Sequence, residues 1–146
     1  MKKILLIVLF LCFLSVPVYA QITLALQEKC AEGAKKFFLE RINSYGGSWG
    51  GFSDEKGHGY NHFTSHYNKK LDKCFIRIDY CYFPKDMNEK DFRLIEIWNA
   101  FEGNLLAGCS LYQINRILDP WDCKVGNKKC NSLSEFKNLI RPYMEE

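Results

Sequence analysis

The sequence has no C-x-x-C pair. Its seven cysteines are scattered from Cys12 to Cys130, so the paired spacing that builds a thiolate zinc site is missing. It has no strong excess of charge either. The formal net charge is +3 and falls to +1 without Lys2 and Lys3, so nothing supports nucleic acid or an anionic membrane as a bulk electrostatic partner. No phosphate-binding glycine pattern precedes a helix. Gly47-Ser48-Trp49-Gly50 is not a nucleophile elbow, and the chain has no internal repeat and no low-complexity tract. Cys12 lacks the small residues that a lipid-attachment site carries just before its cysteine. The apolar stretch from Ile4 to Leu14 is short for a membrane span and ends at Pro17.

That stretch has another use. Lys2 and Lys3 make a charged start, Ile4 to Leu14 an apolar centre, and Val18-Tyr19-Ala20 offers small residues where a signal peptidase reads them. Residues 1–20 are therefore expected to be a cleaved signal peptide that takes Cys12 with it. Residues 21–146 would form one exported domain, periplasmic or secreted, with no membrane contact after cleavage. Six cysteines remain in it: Cys30, Cys74, Cys81, Cys109, Cys123 and Cys130. An even number in an exported chain reads as disulfides. A nucleophilic thiol is the lesser reading, because an oxidising compartment consumes free thiols.

The domain is organised around Lys73 to Phe83. Isoleucine and aromatics dominate there, which favours a strand. Read with period two, Cys74, Ile76, Ile78, Tyr80 and Tyr82 share the core face, whereas Arg77 and Asp79 on the other face are costly to bury unless paired. Tyr60 to Tyr67 alternates aromatic and polar residues and reads as the hairpin partner. Phe92 to Phe101 and Asn104 to Tyr112 read as two more strands around Glu102-Gly103-Asn104. The first of these is apolar on both faces and hence central. A helix from Asp91 to Leu106 is the competing reading.

Thr23 to Ile42 reads as a helix capped by Thr23, with Leu26, Cys30, Ala34 and Phe37 on its apolar stripe and Gly33 beside them. Asn43 to Gly59 holds six of the ten glycines, together with Trp49 and Phe52, and reads as a long loop. Asn115 to Asn131 reads as irregular, and Ser132-Leu133-Ser134-Glu135 is a capping box that opens a second helix. The fold expected is α+β: an N-terminal helix, an antiparallel meander of about four strands and a C-terminal helix, braced by disulfides, with both helices on one sheet face.

Cys74 and Cys81 lie roughly 23 Å apart on one strand, too far to bond. Cys123 and Cys130 flank a short loop with a turn at Gly126-Asn127, so they are expected to pair. Cys30 on the helix is matched with Cys74 on the central strand, and Cys81 with Cys109 by elimination.

Candidate chemistry is sparse. His58, His62 and His66 recur every four residues, a spacing that would let neighbours share a metal on a helix. On a strand they stand about 13 Å apart, too far for one ion, and cross-strand packing is then the plainer reading. A histidine base paired with Asp54, Asp72 or Asp79 would make a small hydrolase, but no diagnostic spacing marks one. Trp49, Phe52, Tyr60, Phe63 and Tyr67 are dense for a loop and a probable edge strand. Any exposed remainder would suit a protein, peptide or carbohydrate surface.

The stretch His66-Tyr67-Asn68-Lys69-Lys70-Leu71-Asp72-Lys73-Cys74-Phe75, with Cys30 before it and the ending Ser132 to Met144, resembles a recurring pattern in a family of small exported bacterial proteins of unknown function. The resemblance implies export and one small domain. It brings no activity or site residues, and Cys81, Cys109 and Cys130 fall outside it. The leading expectation is an exported, non-catalytic binding or interaction module without a cofactor. A metal-binding protein using His58, His62 and His66 and a small hydrolase with a histidine base are the alternatives.

Overall fold

The computed structural model describes residues 2–44, 52–53, 55–86, 90–114 and 117–145. Helix α1 (Lys2–Ser44) is followed by strands β1 (Phe52–Ser53), β2 (Gly57–Asn68), β3 (Lys73–Pro84), β4 (Phe92–Asn99), β5 (Asn104–Ile114), β6 (Ile117–Val125) and β7 (Lys128–Lys129), then helix α2 (Leu133–Met144). The strands form one antiparallel meander in chain order, with β4 at its centre. The helix–meander–helix order is the one expected, and Phe92 to Asn99 is a strand, not the competing helix.

The strand count exceeds four. β1 and β7 have two residues each, too few to leave a pattern in the sequence. β6 replaces most of the segment expected to be irregular. It contains Pro120, but the register shifts there: Leu111 faces Pro120 and Ser110 faces Asp122. The surplus residue, Trp121, marks a bulge. Proline is tolerated at such a place because the ladder there does not need its missing N–H. The first helix also differs, since it runs back to Lys2 and Thr23 lies inside it without capping it. Residues 45–51 and 54 of the glycine-rich segment, Trp49 among them, fall outside the described residues. Gly57 and Gly59 are buried positions of β2. A Cβ on Gly57 would stand 2.6 Å from the Phe83 carbonyl oxygen, so that strand position requires glycine.

Two buried asparagines close the long hairpins. Asn68 accepts a bond from Leu71 N (3.0 Å) and donates to the Pro142 carbonyl at the end of α2 (2.6 Å). Asp72 then turns the chain with a φ of 50°. Asn99 accepts from Phe101 N and Glu102 N (3.1 and 3.2 Å), and Gly103 follows at φ 68°, a left-handed position that suits glycine. Side-chain carbonyls that satisfy turn amides in this way fix the register of the strands they join.

The two helices cover opposite faces of the sheet, contrary to the expectation of one shared face. Cys30, Ala34, Phe38 and Ile42 of α1 are buried against Tyr67, Cys74, Ile76, Ile78 and Trp98. Phe136 and Ile140 of α2 are buried against Ile95, Ile97, Ala107, Cys109, Leu111 and Cys123. The reason lies in β3 and β4. Both carry buried apolar side chains at odd and even positions, and a strand apolar on both faces needs cover on both.

Cys30 and Cys74 are bonded as expected, with Cα atoms 5.3 Å apart. Across a sequence separation of 44 this link lowers unfolded-chain entropy by about 4 kcal/mol in the loop-closure model. The other expected pairs are corrected. Cys109 is bonded to Cys123, which faces it directly across β5 and β6, while Cys81 and Cys130 are buried thiols. Cys81 cannot reach Cys109. It faces Arg93 on β4, which faces Leu111 on β5, so about 9.6 Å of sheet separates their strands.

Candidate functional site

On the α2 side of the sheet, strands β2, β3 and β4 extend past the residues that α2 buries, and a concave cleft of about 310 Å³ opens there. Tyr60, His62 and Thr64 of β2, Arg77 and Asp79 of β3 and Arg93 of β4 line it. The period of two and the register explain the set. His62 faces Asp79 and Thr64 faces Arg77. Arg93 faces Cys81, one step along the same face from Asp79.

Asp79 is the centre of this site and is only 7 % exposed. Arg77 holds it with two bonds, Nε to Oδ2 at 2.7 Å and Nη2 to Oδ1 at 3.0 Å. Arg93 adds Nε at 3.1 Å and Nη2 at 2.5 Å, both to Oδ1. Burial pushes the carboxyl upward, but the two hydrogen-bonded guanidiniums outweigh it and hold Asp79 below the usual carboxylate range. Burial likewise opposes the charge on Arg93, and its bonds to Asp79 more than offset this. Two fixed cations thus share one anion on a surface open to solvent. Tyr60 is 45 % exposed at the rim. A hydrogen bond with the Cys81 thiol raises its phenol above the ordinary value.

A second polar group sits on the α1 side. Glu96 accepts from Arg41 Nε (3.2 Å), Trp98 Nε1 (2.9 Å) and Tyr80 Oη (3.4 Å), and the Arg41 guanidinium lies 3.9 Å over the Trp98 ring. These contacts tie α1 to β4 and are enclosed by both. Farther along the same side, Phe92, Tyr112 and Trp121 form a ladder of rings 5.5 and 5.8 Å apart, with Trp121 71 % exposed.

The aromatic candidates whose side chains are described divide between the two faces of the sheet. Tyr60 lines the cleft. Phe63 turns to the α1 side and packs on Phe38 at 4.7 Å. Tyr67 is buried under α1 and its hydroxyl donates to Asp72. Phe52 lies in β1 opposite Gly59. His58, His62 and His66 all fall on the cleft side of β2, spread along the strand. His58 stacks on Phe83 at 5.2 Å, His62 lines the cleft, and His66 faces Phe75. Among the described residues, no three His, Cys, Asp or Glu side chains are grouped to hold a metal ion.

The alternation of β3 marks Arg77 and Asp79 as costly to bury unless paired, but nothing local marks Arg93 or Thr64. Their place depends on strand register, which no local pattern announces.

No family model, curated protein or solved structure matches the chain. Among the residues whose side chains are described, no helix is long and apolar enough to cross a membrane.

Proposed function

We propose that this chain is an exported, non-catalytic binding module that takes a carboxylate- or phosphate-bearing ligand in the cleft between β2, β3 and β4. The observation that carries this reading is the charge count at Asp79: two guanidiniums against one carboxylate, in a concavity. Each arginine keeps donors that Asp79 does not use, and paired planar guanidiniums are well suited to a second oxyanion. Tyr60, Thr64 and His62 supply a ring and polar groups around that anion, as small-ligand sites generally do. Asp79 spends both oxygens on the arginines, so it orients donors and moves no proton. Export is supported by the leader pattern and by the two disulfides.

Calorimetric titration of the mature protein with inorganic phosphate, citrate and glucuronate tests this. At least one is expected to bind, with affinity falling as salt rises. Arg93→Gln, which leaves the Arg77–Asp79 pair intact, is expected to weaken binding about tenfold or more, since a charge-assisted hydrogen bond contributes about 1.5–3 kcal/mol. Arg93→Lys should recover part of the loss. Equal binding by folded Arg93→Gln would refute the site.

A further inference from the structure

Three cysteines stand side by side on β5, on β6 and just past the end of β7, and only two of them are bonded. Cys109 and Cys123 face each other across β5 and β6 with Cα atoms 4.0 Å apart. On its other side β6 pairs with β7, Lys124 facing Lys129 and Val125 facing Lys128, so the next step of that register sets Cys123 opposite Cys130. The Cys130 amide does donate to the Cys123 carbonyl at 2.8 Å. Residue pairs bonded in that way hold their Cα atoms about 5.5 Å apart, within the range a disulfide spans. All three cysteines are buried in the same cluster beneath α2. Cys123 is thus bonded to Cys109 on one side and backbone-paired with Cys130 on the other.

We infer that Cys130 is a built-in exchange partner for the Cys109–Cys123 disulfide. Its thiolate attacks Cys123 Sγ, the Cys123–Cys130 bond forms and the Cys109–Cys123 bond breaks. Cys109 leaves as the thiolate and takes up a proton in place of the one Cys130 gave up. Nothing is oxidised or reduced overall, so no outside reagent is needed. The exchange moves the covalent tie from between two long strands to the hairpin that leads into α2, whose N-cap is Ser132. The two closed loops differ about twofold in length, and closure entropy varies slowly with length, so loop size does not lock either isomer.

The environment of Cys130 makes the exchange slow at neutral pH. Burial raises its thiol, the Glu135 carboxylate of α2 adds to this, and the Lys128 ammonium of β7 opposes it. The attacking species is the thiolate, so below the thiol's pKa the rate should rise about tenfold per pH unit.

Disulfide mapping tests the inference on intact, oxidised protein. Samples held at pH 7 and at pH 9.5 are quenched in acid, alkylated and digested without reduction. Trypsin cleaves after Arg116, Lys124 and Lys129, so the two isomers give different linked peptides. Native protein at pH 7 is expected to show Cys109–Cys123 with Cys130 alkylated. At pH 9.5 a Cys123–Cys130 peptide should grow in as Cys109 becomes alkylated, with Cys30–Cys74 intact and Cys81 still a thiol. Cys130→Ser should keep Cys109–Cys123 at both pH values. Cys109→Ser, given oxidised glutathione, should close Cys123–Cys130 with native circular dichroism. The inference is overturned if Cys123–Cys130 forms in neither native protein nor Cys109→Ser, or if it forms only together with scrambling of Cys30–Cys74.

Discussion

Asp79 shows how a single side chain sets the character of this surface. Its carboxyl is held low, so in the native state it stays ionised where the unfolded chain would already bind a proton. The stability it contributes is fully present above about pH 3.8, its ordinary value, and is lost as pH falls toward the lower native pKa. Asp79→Asn leaves two guanidiniums crowded without their anion, an expected loss of about 1–3 kcal/mol at pH 7, since both arginines are partly open to water. Urea midpoints measured from pH 7 down to pH 2 should therefore converge for wild type and Asp79→Asn in acid. Midpoints that stay a constant distance apart would mean the carboxylate charge is not what stabilises the fold. Part of this was legible in the chain. Arg77 and Asp79 two apart on a strand announce a paired polar face, whereas Arg93 joins them only through the β3–β4 register.

At the scale of elements, the readable features were those with local causes. The β2–β3 hairpin, the two-sided β4, the stripe on α1 and the capping box of α2 all follow from spacing. In the capping box, Glu135 N donates to Ser132 Oγ, and Glu135 Oε2 accepts from Asn131 N, one residue away from the expected reciprocal bond. The misread features had non-local causes. Pro120 hid β6 because a bulge makes it tolerable, and the Cys109–Cys123 pair became visible only once β5 and β6 were side by side. The helices lie on opposite faces rather than the expected shared one, as a β4 apolar on both sides requires. The turn asparagines were not anticipated at all. Asn99→Ala removes the acceptor of two turn amides and should lower stability by about 2 kcal/mol, measurable by urea unfolding. Gly103→Ala, at positive φ with open space for its methyl, should lose about 1 kcal/mol through backbone strain alone.

For the molecule as a whole, the described residues form a seven-stranded meander clamped from both sides. α1 is tied on by the Cys30–Cys74 bond and by Arg41 on Glu96, and α2 by its own apolar stripe and the Asn68–Pro142 contact. Replacing Cys30 and Cys74 together with alanine should lower stability by up to about 4 kcal/mol, seen as a reduced thermal midpoint with an unchanged ligand response. The part of the sheet that neither helix covers on the α2 side holds the proposed binding cleft. Amide chemical-shift mapping during titration with inorganic phosphate, citrate and glucuronate in turn, where at least one is expected to bind, tests that proposal most directly. The expected result is a set of saturable shifts centred on Tyr60, His62, Thr64, Arg77, Asp79 and Arg93. Shifts confined to the Phe92–Tyr112–Trp121 ladder, or a titration that moves no residue of the cleft, would contradict it.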